Sequence, residues 1–377
     1  MDQLKVIQTQ SEWLDFIDLP WAIYKNDPFW VPPLKIAISD QLNPKKNPFF
    51  KHASMYPLAI YRQGKCVARA IGVVDQNHNK FHSEKTAFFG FFEAIEDQSV
   101  VNLLMDEISK WAKTQGMDTL RGPVNLSTNH ECGLLVEGYE DTPSVMMNYN
   151  PPYYEKLLEA WGLKKSKDLY AYTVDNSTKF EDRLLLHAER LRKRNSIQFR
   201  TIKMSQFNEE VERIFEIYND AWEKNWGFVP LEPEEFRHIA KDFKLILDPR
   251  LCLIAEIRGQ MAGFALTVPD VNQAIQTVKD GKLLPTGIFK LLWNLKGPGR
   301  KTKINRCRII TLGIKKEFQE SGIGALLYTE YYNRLPALGY PRAEASWILE
   351  DNKPMNKALS MMCGKRNKTY RIYDRTL

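Results

Sequence analysis

Alternating apolar and polar positions mark short strand-like runs, and longer runs with a spacing of three to four mark helices. In the second half of the chain the strand-like runs are "IQFRTI", "LCLIAEI", "MAGFALTV", "RCRIITLGI", "RAEASWIL" and "YRIY". Helical patterns fall near 208–222, 232–247, 323–337 and 354–362. The order is strand, two helices, a strand hairpin, a long strand, helix, strand, helix, strand. The first half shows the same order.

The agreement extends to spacing, which points to an internal duplication. "LAIYRQGKCVARAIGVVDQN" (58–77) matches "LIAEIRGQMAGFALTVPDVN" (253–272), and Gly64–Asp75 and Gly259–Asp270 both span 11 positions. Upstream, "YKNDPFWVPPL" resembles "YNDAWEKNWGFVPL"; downstream, Asn150–Gly162 and Asn352–Gly364 both span 12 positions. Aligning Gly90 with Gly313 gives the second copy 28 extra residues before its long strand, and the first copy about 21 extra after its own. A polar loop and basic helix, 175–195, join the copies. The sequence therefore predicts an α/β fold with a mixed sheet and two domains in tandem, 1–178 and 179–377.

Composition narrows the picture only a little. A chain of 377 residues with 44% hydrophobic content is long and apolar enough for two cores. The net charge of +7 favours an acidic partner, such as a phosphorylated cofactor or an anionic membrane, without selecting one. Cys66, Cys132, Cys252, Cys307 and Cys363 lie far apart, with no metal-binding spacing. We read them as reduced thiols of a cytoplasmic protein, and no metal is expected. The N-terminus carries no signal-peptide pattern, and no apolar run approaches the ~18 residues of a spanning helix.

Candidate chemistry centres on "LGIKKEFQESGIGALL", where an apolar strand leads through two glycines into a helix. A helix start offers unpaired N–H groups and the positive end of the helix dipole, and glycines let a pyrophosphate come close. The stretch is no nucleotide P-loop, since no Gly-Lys-Ser/Thr follows. It is no dinucleotide fingerprint either, because Leu327 stands where the third glycine belongs. "QESGIG" (319–324) fits the Gln/Arg-x-x-Gly-x-Gly/Ala motif of the GNAT superfamily of acyl-CoA N-acyltransferases, and the elements after it follow in the superfamily's order. The whole chain resembles a tandem GNAT protein. The first copy departs from the motif. After "FFGFF" comes "EAIEDQSVVNLL", with no glycine, and Glu93, Glu96 and Asp97 put negative charge where a pyrophosphate would sit. We expect that copy to be a scaffold or substrate wall, without a cofactor.

The resemblance implies one site for acetyl-CoA or a longer acyl-CoA, in the second copy. Pantetheine would pair with the long strand at Leu312, Gly313 and Ile314. The pyrophosphate would meet the backbone of Gln319, Glu320, Ser321, Gly322, Ile323 and Gly324. A strand N–H would polarise the thioester carbonyl. Asn352 suits a hydrogen bond to pantetheine and equally a helix cap. Many GNAT enzymes protonate the leaving thiolate with a tyrosine, but Ser360 holds that position here. For deprotonating the amine, the candidates are Glu344, on one strand face with Ser346 and Ile348, and Glu350 in the turn beyond. A structural ion pair is the competing role for Glu344. Asp270, Asn272 and Trp347 are candidate substrate contacts.

Weaker constellations are His78 with His82 in a stretch that reads as a polar loop (77–85), and Cys132 with His130. The run "ERLRKRN" (189–195) reads as a solvated helix face, and no nucleic-acid partner is expected. The aromatics of "YNDAWEKNWGFVP" read as core or pocket wall. The insertion 280–306 is apolar and basic together, which suits a lid over a greasy substrate, a membrane-surface element or a helix packed between domains. Acyl transfer to a small or lipid-like amine is the leading reading, similar to bacterial tandem GNAT-like acyltransferases acting on long-chain amines. A non-catalytic acyl-CoA-binding scaffold is the alternative.

Overall fold

The computed structural model describes residues 1–175, 182–223, 225–296, 304–363 and 366–377. Gly364, used above to align the copies, and 297–303 of the insertion lie outside them. The chain forms two compact units. The first comprises Met1–Leu169, Ile275–Leu291 and Lys368–Leu377; the second comprises Tyr170–Ala274 and Leu292–Asn367.

The first copy supplies β1 (Asp2–Val6), β2 (Ala53–Arg62), β3 (Lys65–Asp75), β4 (Thr86–Ala94), β5 (Thr119–Gly122), β6 (Leu134–Glu137) and β7 (Lys164–Asp175). The second supplies β8 (Ile197–Thr201), β9 (Cys252–Ile257), β10 (Gln260–Pro269), β11 (Arg306–Ile314), β12 (Arg342–Leu349) and β13 (Arg366–Thr376). Unit 1 runs β1-β2-β3-β4-β5-β13, with β6 also on β13; unit 2 runs β12-β11-β10-β9-β8, with β7 on the other side of β12. In each unit the two middle strands, β4–β5 and β11–β12, are parallel, while β3 on β4, β13 on β5 and β10 on β11 are antiparallel. This is a mixed α/β sheet. β13 comes from the end of the chain yet pairs with β5, Tyr373 opposite Gly122 and Thr376 opposite Thr119.

The two hairpins show the duplication in atomic detail. Gln63–Gly64 and Arg258–Gly259 both turn with φ near +50° and then near +77°, at φ 51 and 77 and at φ 52 and 78. Two successive left-handed residues make the tight turn that matches strand twist, and glycine takes the second position without strain. Helices cover each sheet for the reason their patterns suggest. Gln98–Thr114 buries Val100, Val101, Leu104, Met105, Ile108 and Ala112. Ile323–Arg334 buries Ile323, Leu326, Leu327, Tyr328 and Tyr331, and the Tyr331 hydroxyl donates to the carbonyls of Leu251 at 2.7 Å and Ala265 at 2.9 Å. A buried hydroxyl on an apolar helix face needs such acceptors.

Two readings change. The segment 77–85 is not all polar loop: Gln76–His82 is a helix. Asp75 caps it by accepting from the Asn77 N–H at 2.9 Å, and Asn79 exchanges two hydrogen bonds with the Thr86 backbone. The polar residues that suggested a loop serve as caps and brackets, and the helix packs His78 against Phe88 at a ring separation of 4.7 Å. Second, the alignment of Gly90 with Gly313 is out of register. Val73 faces Phe88 as its counterpart Val268 faces Arg308, and Ala68 faces Ala94 as Gly263 faces Ile314. Glu93, not Gly90, therefore stands where Gly313 stands. Both long strands carry a bulge, and glycine alone was a poor marker of position within them.

Candidate active site

In unit 2, β11 leaves its parallel neighbour partway along. Pairing with β12 runs from Arg306–Arg342 to Ile309–Ala345, and among the described residues it ends there. On its other edge β11 stays with β10 as far as Ile314, with a bulge that leaves Ile310 between the pairs Thr267–Ile309 and Leu266–Thr311. The stretch that includes Leu312, Gly313 and Ile314 is thus held on one edge only. Its other edge can accept an extended ligand as a further strand.

The strand leads into the glycine-rich turn. Gln319, Glu320 and Ser321 end a short 3₁₀ helix, Gly322 turns with φ of +80°, and Ile323 and Gly324 open the helix Ile323–Arg334. Among the described residues no side chain caps that helix start, and the Ile323 N–H meets the Ser321 hydroxyl at a long 3.4 Å. The Ser321 carbonyl accepts from the Asn195 amide at 2.9 Å, so the basic helix Asp182–Arg194 ends against the turn. Lys316 pairs with Asp220 at 2.7 Å and Glu223 at 2.9 Å, tying the loop to the end of the helix Phe207–Trp222. Trp222 from that helix lies over Gly313, where an added Cβ would be 2.9 Å from the indole and 2.7 Å from Phe264.

Unit 1 has filled both features with its own chain. Past the last β4–β5 pair, Phe88–Arg121, the Val124 N–H donates to the Phe89 carbonyl and the Phe91 N–H to the Asn125 side chain, both at 2.7 Å. A Cβ on Gly90 would lie 2.1 Å from the Val124 carbonyl oxygen. Asn150, the counterpart of Asn352, grips the Leu135 backbone at both ends of its amide, at 2.7 and 3.1 Å. Glu93–Asn150 spans 57 positions against 39 for Gly313–Asn352, and Val124 and Asn125 from this longer stretch occupy the edge that corresponds to the one β11 leaves open. The helix start is also occupied. Asp97 accepts from the Ser99 hydroxyl at 2.6 Å, pairs with Arg62 at 2.9 Å and accepts from the Ser99 N–H at 2.9 Å, and these bonds hold its carboxyl down to about 2. Glu93 is elsewhere: its side chain, 13% exposed, accepts from the Tyr154 and Tyr24 hydroxyls at 2.7 and 2.9 Å, and its removal from solvent raises its pKa.

The other candidates of unit 2 fall into three groups. Glu344 is buried and accepts from the Ser346 hydroxyl at 2.8 Å; Arg308 Nε donates to the same hydroxyl at 2.9 Å and its Nη2 to the Ser346 carbonyl at 3.1 Å. Arg308 is a residue the sequence reading missed. Its signal was a second arginine, two residues after Arg306, in the mostly apolar strand "RCRIITLGI". Asn352 caps the helix Lys353–Cys363 through its side-chain oxygen, which accepts from Met355 N at 3.2 Å, and Glu350 sits half-buried in the turn before it. Ser360 is spent on its own helix, donating to the Asn356 carbonyl at 2.8 Å. Asp270 is wholly buried and pairs with Arg306 at 3.0 Å, while Asn272 opens a short helix and Trp347 is half-buried on β12.

The weaker constellations have structural places. Cys132 is buried and bridges to Val124, while His130 pairs with Ser127 at 2.9 Å. His78 and His82 have rings 4.5 Å apart, and among the described residues no three His, Cys, Asp or Glu side chains cluster as metal ligands. Lys193 pairs with Glu189 at 3.5 Å and Arg192 stacks 5.5 Å from the Phe199 ring. No helix among the described residues is long and apolar enough to cross a membrane.

An open strand edge running into an uncapped, glycine-started helix is the arrangement that holds acyl-CoA in one class of enzyme. The chain belongs to the acetyltransferase (GNAT) family, whose model matches residues 211–364, and it is an acyl-CoA-dependent N-acyltransferase. It is similar to "Bacterial ceramide synthase" of Caulobacter vibrioides, 38% identical over 98% of this chain and 96% of that protein. It is also similar to "Protein YghO" of Escherichia coli, 34% identical over 96% of this chain and 92% of that one. In fold it matches a tandem GNAT protein from the clavulanic acid biosynthesis pathway, with a TM-score of 0.57, 12% identity and coverage of 100% and 98%.

Proposed function

We propose that this enzyme transfers a fatty acyl group from acyl-CoA to the amine of a long-chain, lipid-like acceptor, at one site in unit 2. The observation that carries the single site is the contrast between the copies: the strand edge and helix start that are open in unit 2 are both filled in unit 1. Pantetheine pairs along Leu312–Ile314, and the pyrophosphate meets the backbone of 319–324. The amine attacks the thioester carbonyl, forming the C–N bond. A β11 N–H near the bulge stabilises the oxyanion, and the C–S bond breaks to release CoA thiol.

Glu344 takes the amine proton in this reading, oriented by Ser346 and Arg308; Glu350 is next in line. Asn352 can cap its helix with oxygen and offer its amide N–H groups to pantetheine. Trp347 and the Trp222 face line the acceptor side, and the Asp270–Arg306 pair fixes the strand ends beside them. A ceramide is an amide of a long-chain amine, so the name of the Caulobacter relative supports the acceptor class. Cytoplasmic acyl-CoA is the matching donor supply. Turnover with acyl-CoAs of increasing chain length against short and long-chain amines, read by thiol release, tests the reading. Preference for a short polar amine would remove the lipid assignment.

A further inference from the structure

The insertion that follows β10 is anchored at its base and exposed at its top. Its first part belongs to unit 1. There the Trp21 indole donates to the Lys279 carbonyl at 2.7 Å, and the Lys35 N–H donates to the Gly281 carbonyl at 3.0 Å. A Cβ on Gly281 would lie 2.5 Å from the Trp21 ring, so this contact is close-packed. From that base the chain rises through Leu284 into the helix Gly287–Lys296. Leu284 is 75% exposed, Phe289 72% and Trp293 51%. Phe289 and Trp293 stand four residues apart, so they share a helix face. Lys282 and Lys290 are exposed among them.

We propose that this helix and the turn before it are a docking surface for an anionic lipid bilayer. Charge selects this occupant over a second copy of the chain. Residues 280–303 carry six basic side chains (Lys282, Lys290, Lys296, Arg300, Lys301, Lys303) against one acid, Asp280. Protein interfaces deplete lysine from their apolar centres. A helix lying in the headgroup region instead combines phenylalanine, tryptophan and leucine with lysine and arginine, and basic residues beside it gain from anionic headgroups. The anchored base matters too, since a segment already ordered loses little freedom on docking. The surface stands independently of the acceptor's identity, although an enzyme that draws a lipid amine from a membrane would gain from it.

The test uses the full chain and vesicles, without turnover, so it succeeds or fails apart from the acyl-transfer assay. Co-sedimentation is measured with phosphatidylcholine vesicles and with equimolar phosphatidylcholine and phosphatidylglycerol. Binding is expected to the anionic vesicles, falling as salt rises. Phe289→Ser and Trp293→Ser should each weaken it by about tenfold or more, the scale of one aromatic side chain leaving an apolar phase. Lys282→Glu with Lys290→Glu should weaken it at low salt. Because Phe289 is the more exposed of the two, at 72%, Phe289→Ser should keep the wild-type melting temperature. Absence of vesicle binding would overturn the proposal. So would equal binding to both vesicle types, a melting temperature lost with Phe289→Ser, or a concentration-dependent dimer that those variants abolish.

Discussion

Replacing Glu344 by glutamine separates its two competing roles. The amide has the shape of the carboxyl and can still accept from the Ser346 hydroxyl, now 2.8 Å away, but it carries no charge. Arg308, 3% exposed and bonded to the same hydroxyl, keeps its guanidinium in a less negative surrounding. A hydrogen bond to a charged group contributes about 1.5–3 kcal/mol and a neutral one about 0.5–1.5, so the expected stability loss is about 1–2 kcal/mol. For a unit of this size that is a fall of about 2–8 °C in melting temperature. If Glu344 also takes the amine proton, turnover should fall by about 10²–10⁴-fold, or about 2.7–5.4 kcal/mol in the barrier. The assay is thiol release at saturating acyl-CoA across pH, normalised to folded protein, with CoA affinity measured separately. The loss should shrink at high pH, where the acceptor is already a free amine. A variant that melts lower, yet turns over within about threefold of wild type at every pH, would refute the catalytic role and leave Glu344 as a structural partner of Ser346 and Arg308.

Gly324→Asp should abolish CoA binding by calorimetry while Gly324→Ala keeps it, since an added Cβ there meets only Ile314, at 3.4 Å; equal affinity in both variants would remove the phosphate cradle from 319–324. Gly322 is a poorer probe, because its φ of +80° strains any other side chain. Gly90→Ala should lower the melting temperature or prevent folding, because its Cβ would lie 2.1 Å from a backbone oxygen; a wild-type melting curve would contradict the filled slot of unit 1. His78 gives a pH prediction. Burial pushes its imidazole down to about 4 from 6.5, so below pH 6.5 the unfolded chain takes up a proton that the folded one refuses. Its contribution should be lost as pH falls from about 6.5 towards 4, by about 2 kcal/mol at pH 5, and His78→Gln should flatten that part of the melting curve.

Where periodicity carried the information, the sequence reading agrees with the structure. β11 and β12 coincide with "RCRIITLGI" and "RAEASWIL", and the helices of the second copy lie within a few residues of their patterns. The duplication was legible because turn glycines repeat at fixed spacing. Three things were not. The helix Gln76–His82 has too few apolar residues to show a period. The register of β4 against β11 depended on bulges, which no residue type announces. The filling of unit 1's slot rests on backbone bonds of Val124 and Asn125, which look like any loop in sequence. For the site, the glycine turn stood out because few other residues allow it. The Arg308–Ser346–Glu344 chain did not, since it joins two strands whose pairing the sequence leaves open.

The placement of β13 fixes an order in time. Unit 1 takes in residues 1–169, but its sheet also takes in residues 368–377, which are made much later. Tyr370 and Tyr373 from that strand are fully buried, so the unit's core is incomplete without them. At about 5–20 residues per second, an emerging chain leaves the edge of β5 open for on the order of ten seconds or more after the rest of the first copy has appeared. An open edge is a template for wrong partners. Cutting the gene at the boundary between the copies would make that vacancy permanent in one fragment and leave a strand without its sheet in the other. A tag fused after Leu377 would be carried by the unit that holds residues 1–169.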